Sequence, residues 1–159
     1  MPSSSFGVAK EDRYFEDYAV GSVYEFGSIT VTEAEIIDFA KKYDPQSFHI
    51  DPEAAGKSPF GGLISSGWLT AGLMMRLLVD NYVSSVAGLG SPGVRELKWL
   101  KPVRPGDELS IRVTILEARR SQSKPDRGMV DISVEVLTQK RDIVMTMQSM
   151  GMILCREKL

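Results

Sequence analysis

Apolar and polar residues alternate strictly over two stretches in the second half of the chain. Leu109, Ile111, Val113 and Ile115 are separated by Ser110, Arg112 and Thr114, and Val130, Ile132, Val134 and Val136 by Asp131, Ser133 and Glu135. A period of two is that of a strand with one face buried. Ile143, Met145 and Met147 open a third such run, which Met150, Met152 and Leu154 continue out of phase, so a bulge is expected near Ser149. Gly93–Leu100 and Val23–Val31 are further strand candidates. Before these, helical spacing dominates. Thr32 and Glu35 stand at capping-box positions, and Ile36, Ile37, Phe39 and Ala40 form one apolar face. Pro45 disfavours a helical Asp44, which ends that helix near Tyr43. A longer helix is predicted from about Ser66 to about Val86. Its apolar residues, among them Trp68, Leu73, Met75, Leu78 and Val79, point in nearly every direction, which predicts burial on all sides. Residues 104–107, Arg-Pro-Gly-Asp, read as a turn whose glycine takes a positive φ. One buried helix and about five mostly antiparallel strands predict an α+β domain in which a curved sheet wraps a central helix.

Length and charge narrow the class. A chain of 159 residues holds one core, with residues 1–13 expected to be a mobile Ser-rich tail and 14–159 a single domain. The net charge is -2 with no block of like charges, which argues against nucleic acid or a polybasic membrane anchor as partner. The most apolar stretch, 63–79, contains Arg76 and is followed by Asp80, too short and too charged to span a bilayer. The N-terminus lacks the basic start and apolar stretch of a secretory signal. Cys155 is the only cysteine, so no internal disulfide can form, and a cytoplasmic location is expected. A single histidine and a single cysteine speak against a zinc site.

The segment with chemical content is Tyr43-Asp44-Pro45-Gln46-Ser47-Phe48-His49-Ile50-Asp51-Pro52. Asp44 and His49, five residues apart and followed by an Asp-Pro, resemble the hydratase motif of the MaoC-like dehydratases, which include the (R)-specific enoyl-CoA hydratases. Two later segments carry the same resemblance in the same order: Phe60-Gly61-Gly62-Leu63-Ile64-Ser65-Ser66-Gly67, and Leu100-Lys101-Pro102-Val103-Arg104-Pro105-Gly106-Asp107. It covers about Tyr14 to Leu154 and implies the hot-dog fold, a sheet wrapped on a helix. It also implies Asp44 and His49 as the catalytic dyad, and the Gly67 N–H, 18 residues beyond His49, as the donor to the thioester carbonyl. Gln46 and Ser47 depart from the commoner Asp-x-Asn-Pro-x-His form. The longer amide at 46 is still able to hydrogen-bond locally.

The chemistry gives these residue types a reason to meet. Hydrating an enoyl thioester requires a base for the attacking water and an acid for the α-carbon, and general acid–base catalysis contributes about 10²–10⁴-fold. The negative charge that reaches the thioester oxygen suits an N–H at a helix N-terminus. Plainer roles exist for each residue. Asp44 can start an Asp-Pro turn, a lone His49 is often structural, and Gly67 can serve only close packing of helix and sheet. Asp51 reads as a helix N-cap. Met74 and Met75 are core filler or the lining of an acyl tunnel, and Cys155 is expected to be inert. Lys101 and Arg104 suit phosphate by charge alone and are assigned no role. The expected reaction is addition of water to, or its removal from, an acyl thioester, and the resemblance implies (R)-specific hydration of trans-2-enoyl-CoA to (3R)-hydroxyacyl-CoA, with no cofactor beyond the CoA or acyl carrier on the substrate, in a homodimer. A hot-dog thioesterase and a non-catalytic subunit of a heteromeric dehydratase are the alternatives.

Overall fold

The computed structural model describes residues 2–3 and 5–158. After a 3₁₀ turn at Phe15–Asp17 come strand β1 (Val23–Thr30), helix α1 (Glu33–Tyr43), two short helices α2 (Ser47–Ile50) and α3 (Pro52–Gly56), and the long helix α4 (Gly67–Asn81). Strands β2 (Gly93–Trp99), β3 (Glu108–Arg120), β4 (Arg127–Leu137) and β5 (Ile143–Leu154) complete it. The sheet is antiparallel in the order β1-β3-β4-β5-β2. The alternating residues of β3 and β4, from Leu109 to Ile115 and from Val130 to Val136, form the buried face, against which Leu69, Leu73 and Leu77 of α4 pack. No helix among the described residues is long and apolar enough to cross a membrane.

Several local signals act as their chemistry requires. Thr32 accepts from the Glu35 N–H, Asp51 caps α3 by accepting from Glu53 and Ala54, and Gly106 takes φ 89°. Other expectations are corrected. Helix α4 stops at Asn81 rather than Val86. The carbonyls of Asn81 and Tyr82 are taken by the buried Arg13 guanidinium, the Tyr18 hydroxyl also donates to Tyr82, and Ser84 turns the chain by accepting from Ala87. Nor is α4 buried all round: Trp68, Met75 and Val79 line an exposed stripe together with Gly72. β5 pairs with β4 without interruption through Ser149, so the irregularity lies in the neighbouring strand. There Val94 pairs with Ser149 and Glu96 with Gln148, leaving Arg95 as the extra residue. Its guanidinium sits 3.0 Å from the buried Asp131 carboxylate. The apparent change of phase along β5 comes instead from small residues, Ser149 and Gly151, at core-facing positions opposite Ile132 and Val130. The segment 5–13, expected as a mobile tail, packs against the domain: Phe6 stacks on Tyr24, and Arg13 lies over the Phe6 ring.

Candidate active site

Helix α1 delivers Asp44 to the site as its C-cap, with the Asp44 N–H bonded to the Ala40 carbonyl. The chain then turns through Pro45, and one turn of α2 presents His49. Two bonds lock this loop to the strand-like segment before α4: the Ile64 N–H donates to the Phe48 carbonyl at 3.1 Å, and His49 Nδ1 lies 2.7 Å from the Ile64 carbonyl. A carbonyl only accepts, so Nδ1 carries the proton and the neutral imidazole leaves Nε2 bare. His49 Nε2 faces Asp44 Oδ2 at 3.4 Å.

Both carboxylate oxygens of Asp44 accept a hydrogen bond. Gln46 Nε2 donates to Asp44 Oδ1 at 2.8 Å, so the residue that departs from the common motif reaches back to the carboxylate. Ser66 Oγ donates to Asp44 Oδ2 at 2.8 Å and accepts from the Trp68 N–H, joining the dyad to the cap of α4. The Gln46 amide, and after it the Ser66 hydroxyl, hold the Asp44 carboxyl below the usual range against the opposing effect of partial burial. Asp44 is therefore ionised at neutral pH.

Gly67 is the first residue of α4, and among the described residues nothing accepts from its N–H. Asp44, His49 and Gly67 share one cleft of about 460 Å³, with Phe60, Trp68 and Trp99 among its other walls. A second cavity of about 460 Å³, mostly apolar, begins one turn farther along α4 at Met74 and is lined by Met75, Leu78, Ile132, Ser149 and Gly151. Lys101 is paired with Asp142, and Arg104 donates to the Phe60 carbonyl at 2.6 Å, tying down the loop whose Phe60 lines the cleft. Cys155 is buried, and burial pushes its thiol pKa up. Sequence reading found Asp44, His49 and Gly67 but not Ser66, Trp99 or the Ile64 carbonyl. Those contacts join residues 15 to 32 positions apart, and only Ser66, as a helix-start residue, left a local signal.

A five-stranded antiparallel sheet around one long helix, with a carboxylate–imidazole pair at that helix's N-terminus, defines a hot-dog protein equipped with acid–base groups. The chain belongs to the MaoC-like dehydratase family, whose "MaoC like domain" model matches residues 16–138. It is similar to the crystal structure of the MaoC-like dehydratase from Rhodospirillum rubrum, with a TM-score of 0.83 at 39% identity, covering 92% of this chain and 99% of that one. The (R)-hydratase from A. caviae involved in PHA biosynthesis superposes with a TM-score of 0.69 at 25% identity, over 84% of this chain and 95% of that one. The 3-hydroxyacyl-thioester dehydratase Z of Mycobacterium tuberculosis is 29% identical over 110 residues, 68% of this chain and 73% of its own length.

Proposed function

We propose that this protein is a hydratase/dehydratase of acyl thioesters that adds water to trans-2-enoyl-CoA to give (3R)-hydroxyacyl-CoA. The observation that carries this reading is the facing of His49 Nε2 and Asp44 Oδ2 at 3.4 Å. With Nδ1 donating to Ile64 and Asp44 ionised, both facing atoms are acceptors. The natural partner of two such acceptors is one water, donating a proton to each. As its oxygen attacks the β-carbon, the pair takes a proton and returns one to the α-carbon, and the two groups titrate as a unit. Negative charge moves to the thioester oxygen, where the Gly67 N–H, with about half a positive charge of helix dipole behind it, stabilises the enolate. The acyl tail follows α4 into the Met74–Met75 cavity. This route needs no cofactor beyond the carrier that the substrate brings. The similarity to an (R)-hydratase supports the R hand, and the lone cysteine supports a cytoplasmic site of action.

The same reading includes a homodimer. β2 is an edge strand exposed along nearly its whole length, with the exposed Trp68–Met75–Val79 stripe of α4 beside it. The opposite edge, β1, is partly covered by a bridge from Ser3 to Tyr24. Open strand edges are ordinarily covered, most often about a two-fold axis.

Adding crotonyl-CoA and following the enoyl absorbance tests the activity. Hydration bleaches it without free thiol, whereas release of thiol would indicate a thioesterase and no change a non-catalytic scaffold. Asp44→Asn and His49→Gln are each expected to lower kcat/KM by at least about 10²-fold with the fold retained. Near-normal turnover in either variant would remove the dyad from the reaction.

A further inference from the structure

Gly67 is not in a left-handed conformation, so its backbone does not demand glycine. What demands it is Trp99. A Cβ on Gly67 would fall 2.6 Å from Trp99 Nε1 and 2.7 Å from Cδ2, with Cε2 closer still. The indole N–H donates to the Gly67 carbonyl at 2.9 Å. Trp68, the next residue of α4, meets the Trp99 ring edge-on, with centroids 5.0 Å apart and planes at 81°, and so braces the indole in turn.

We propose that Trp99 is a positioning residue that aims the Gly67 N–H at the thioester carbonyl. The proposal rests on the assignment of that N–H as the carbonyl donor. The first turn of a helix is its least restrained part, because its N–H groups have no intrahelical partners. Here it is clamped from two sides. Ser66 Oγ, tied to Asp44, accepts from Trp68, and Trp99 donates to the Gly67 carbonyl while its indole fills the space that a Cβ on Gly67 would need. Three consecutive residues of the helix start are thereby fixed relative to the dyad on one side and to edge strand β2 on the other. A carbonyl donor acts through its orientation, and a misplacement of about 1 Å can cost about 10²-fold in rate. The donor's aim is thus set by a side chain 32 residues away on a different element.

Trp99→Phe keeps most of the ring and deletes the donor. Its kcat on crotonyl-CoA is expected to fall about 10-fold while KM stays within about twofold, as for a contact that matters in the transition state. The infrared stretch of a thioester carbonyl, isotope-labelled in bound 3-hydroxybutyryl-CoA, should shift back toward its free value. In a Trp99→Leu background, which clears the space for added atoms, Gly67→Ala should cost far less than it does alone. A fall in kcat with an unchanged carbonyl stretch would make the role merely structural and overturn the proposal. So would a full rate and unshifted stretch in Trp99→Phe when Gly67→Pro, made in the Trp99→Leu background, loses the carbonyl polarisation. If neither Trp99→Phe nor that Gly67→Pro protein alters the stretch, the Gly67 assignment itself fails, and the role of Trp99 falls with it.

Discussion

Substituting Gly151 should trade acyl-chain length against nothing else. Gly151 pairs with Val130 in the β4–β5 register, so a side chain there points to the core face. A Cβ at this position meets nothing within 4 Å, because it projects into the cavity beside Met74 and Leu78. Its φ is not positive, so leucine fits the backbone, and glycine inside a strand costs about 0.5–1 kcal/mol relative to alanine, so Gly151→Leu should fold at least as well as the parent. A leucine side chain occupies the space of about two to three methylenes of a linear tail. Each methylene kept from burial costs about 0.8 kcal/mol, so an eight-carbon enoyl-CoA should lose about 1.6–2.4 kcal/mol of transition-state binding, roughly 15- to 60-fold in kcat/KM. Crotonyl-CoA, whose tail ends near the dyad, should change by less than about twofold on the same basis. The assay is the ratio of kcat/KM values for the four- and eight-carbon substrates in parent and variant. Equal losses on both, or none on the longer one, would show that the tail does not enter this cavity.

Three further outcomes follow from the site. Gln46→Met removes the largest influence holding the Asp44 pKa down, so the acid limb of the kcat/KM profile should move to higher pH; an unmoved limb would mean that Asp44 does not set it. In the parent, the depressed Asp44 pKa contributes stability that is present above its unfolded value of about 3.9 and lost as pH falls through the folded value, so the stability gap between parent and variant should close in acid. Hydration in deuterium oxide should place the hydroxyl and the new α-deuteron on the same face, since one pair handles both protons; an anti product would exclude a shared water. Light scattering should return twice 17.6 kDa, and a fully active monomer would contradict the dimer.

The parts of the fold that the sequence makes legible are those where one physical demand governs a run of residues. β3 and β4 read plainly because every second residue from Leu109 to Ile115 and from Val130 to Val136 is buried in one core and none is small. β5 misleads for the converse reason: Ser149 and Gly151 occupy core-facing positions where a cavity replaces packing, so the alternation of large apolar residues lapses while the strand continues. The end of α4 is set by Arg13, 68 residues from the Asn81 carbonyl that it binds, and no local pattern announces it. The site divides in the same way. Asp44 and His49 lie five residues apart and are visible as a motif, whereas Ser66 and Trp99 join it only through the packing of α4 against the loop and β2. Trp99 also makes Gly67→Pro a poor probe in the native background, because any side-chain carbon at 67 strikes the indole before the loss of the N–H can be read.

The remaining departure from the common motif, Ser47, is a place where structure and stability can be separated from chemistry. Ser47 is the first residue of α2, the position where proline is best tolerated because its missing N–H would have had no intrahelical partner. Among the described residues nothing accepts from the Ser47 N–H, and its side chain is exposed. The residue before a proline must be extended, and Gln46 already is, at φ -78° and ψ 144°. Ser47→Pro therefore asks nothing new of the folded chain and removes freedom from the unfolded one, a gain of about 0.4–1 kcal/mol. For a protein of this size that is an increase of about 1–4 °C in Tm. Because Gln46 keeps its bond to Asp44 and His49 its bond to Ile64, kcat and KM on crotonyl-CoA should stay within about twofold, well under 1 kcal/mol. Calorimetry and the absorbance assay on the same preparation check both halves. A lower Tm would mean that the turn at Pro45–Ser47 is held in a geometry other than the one described. A stabilised protein with a changed rate would mean that the freedom of this loop, rather than its resting geometry, is what the dyad uses.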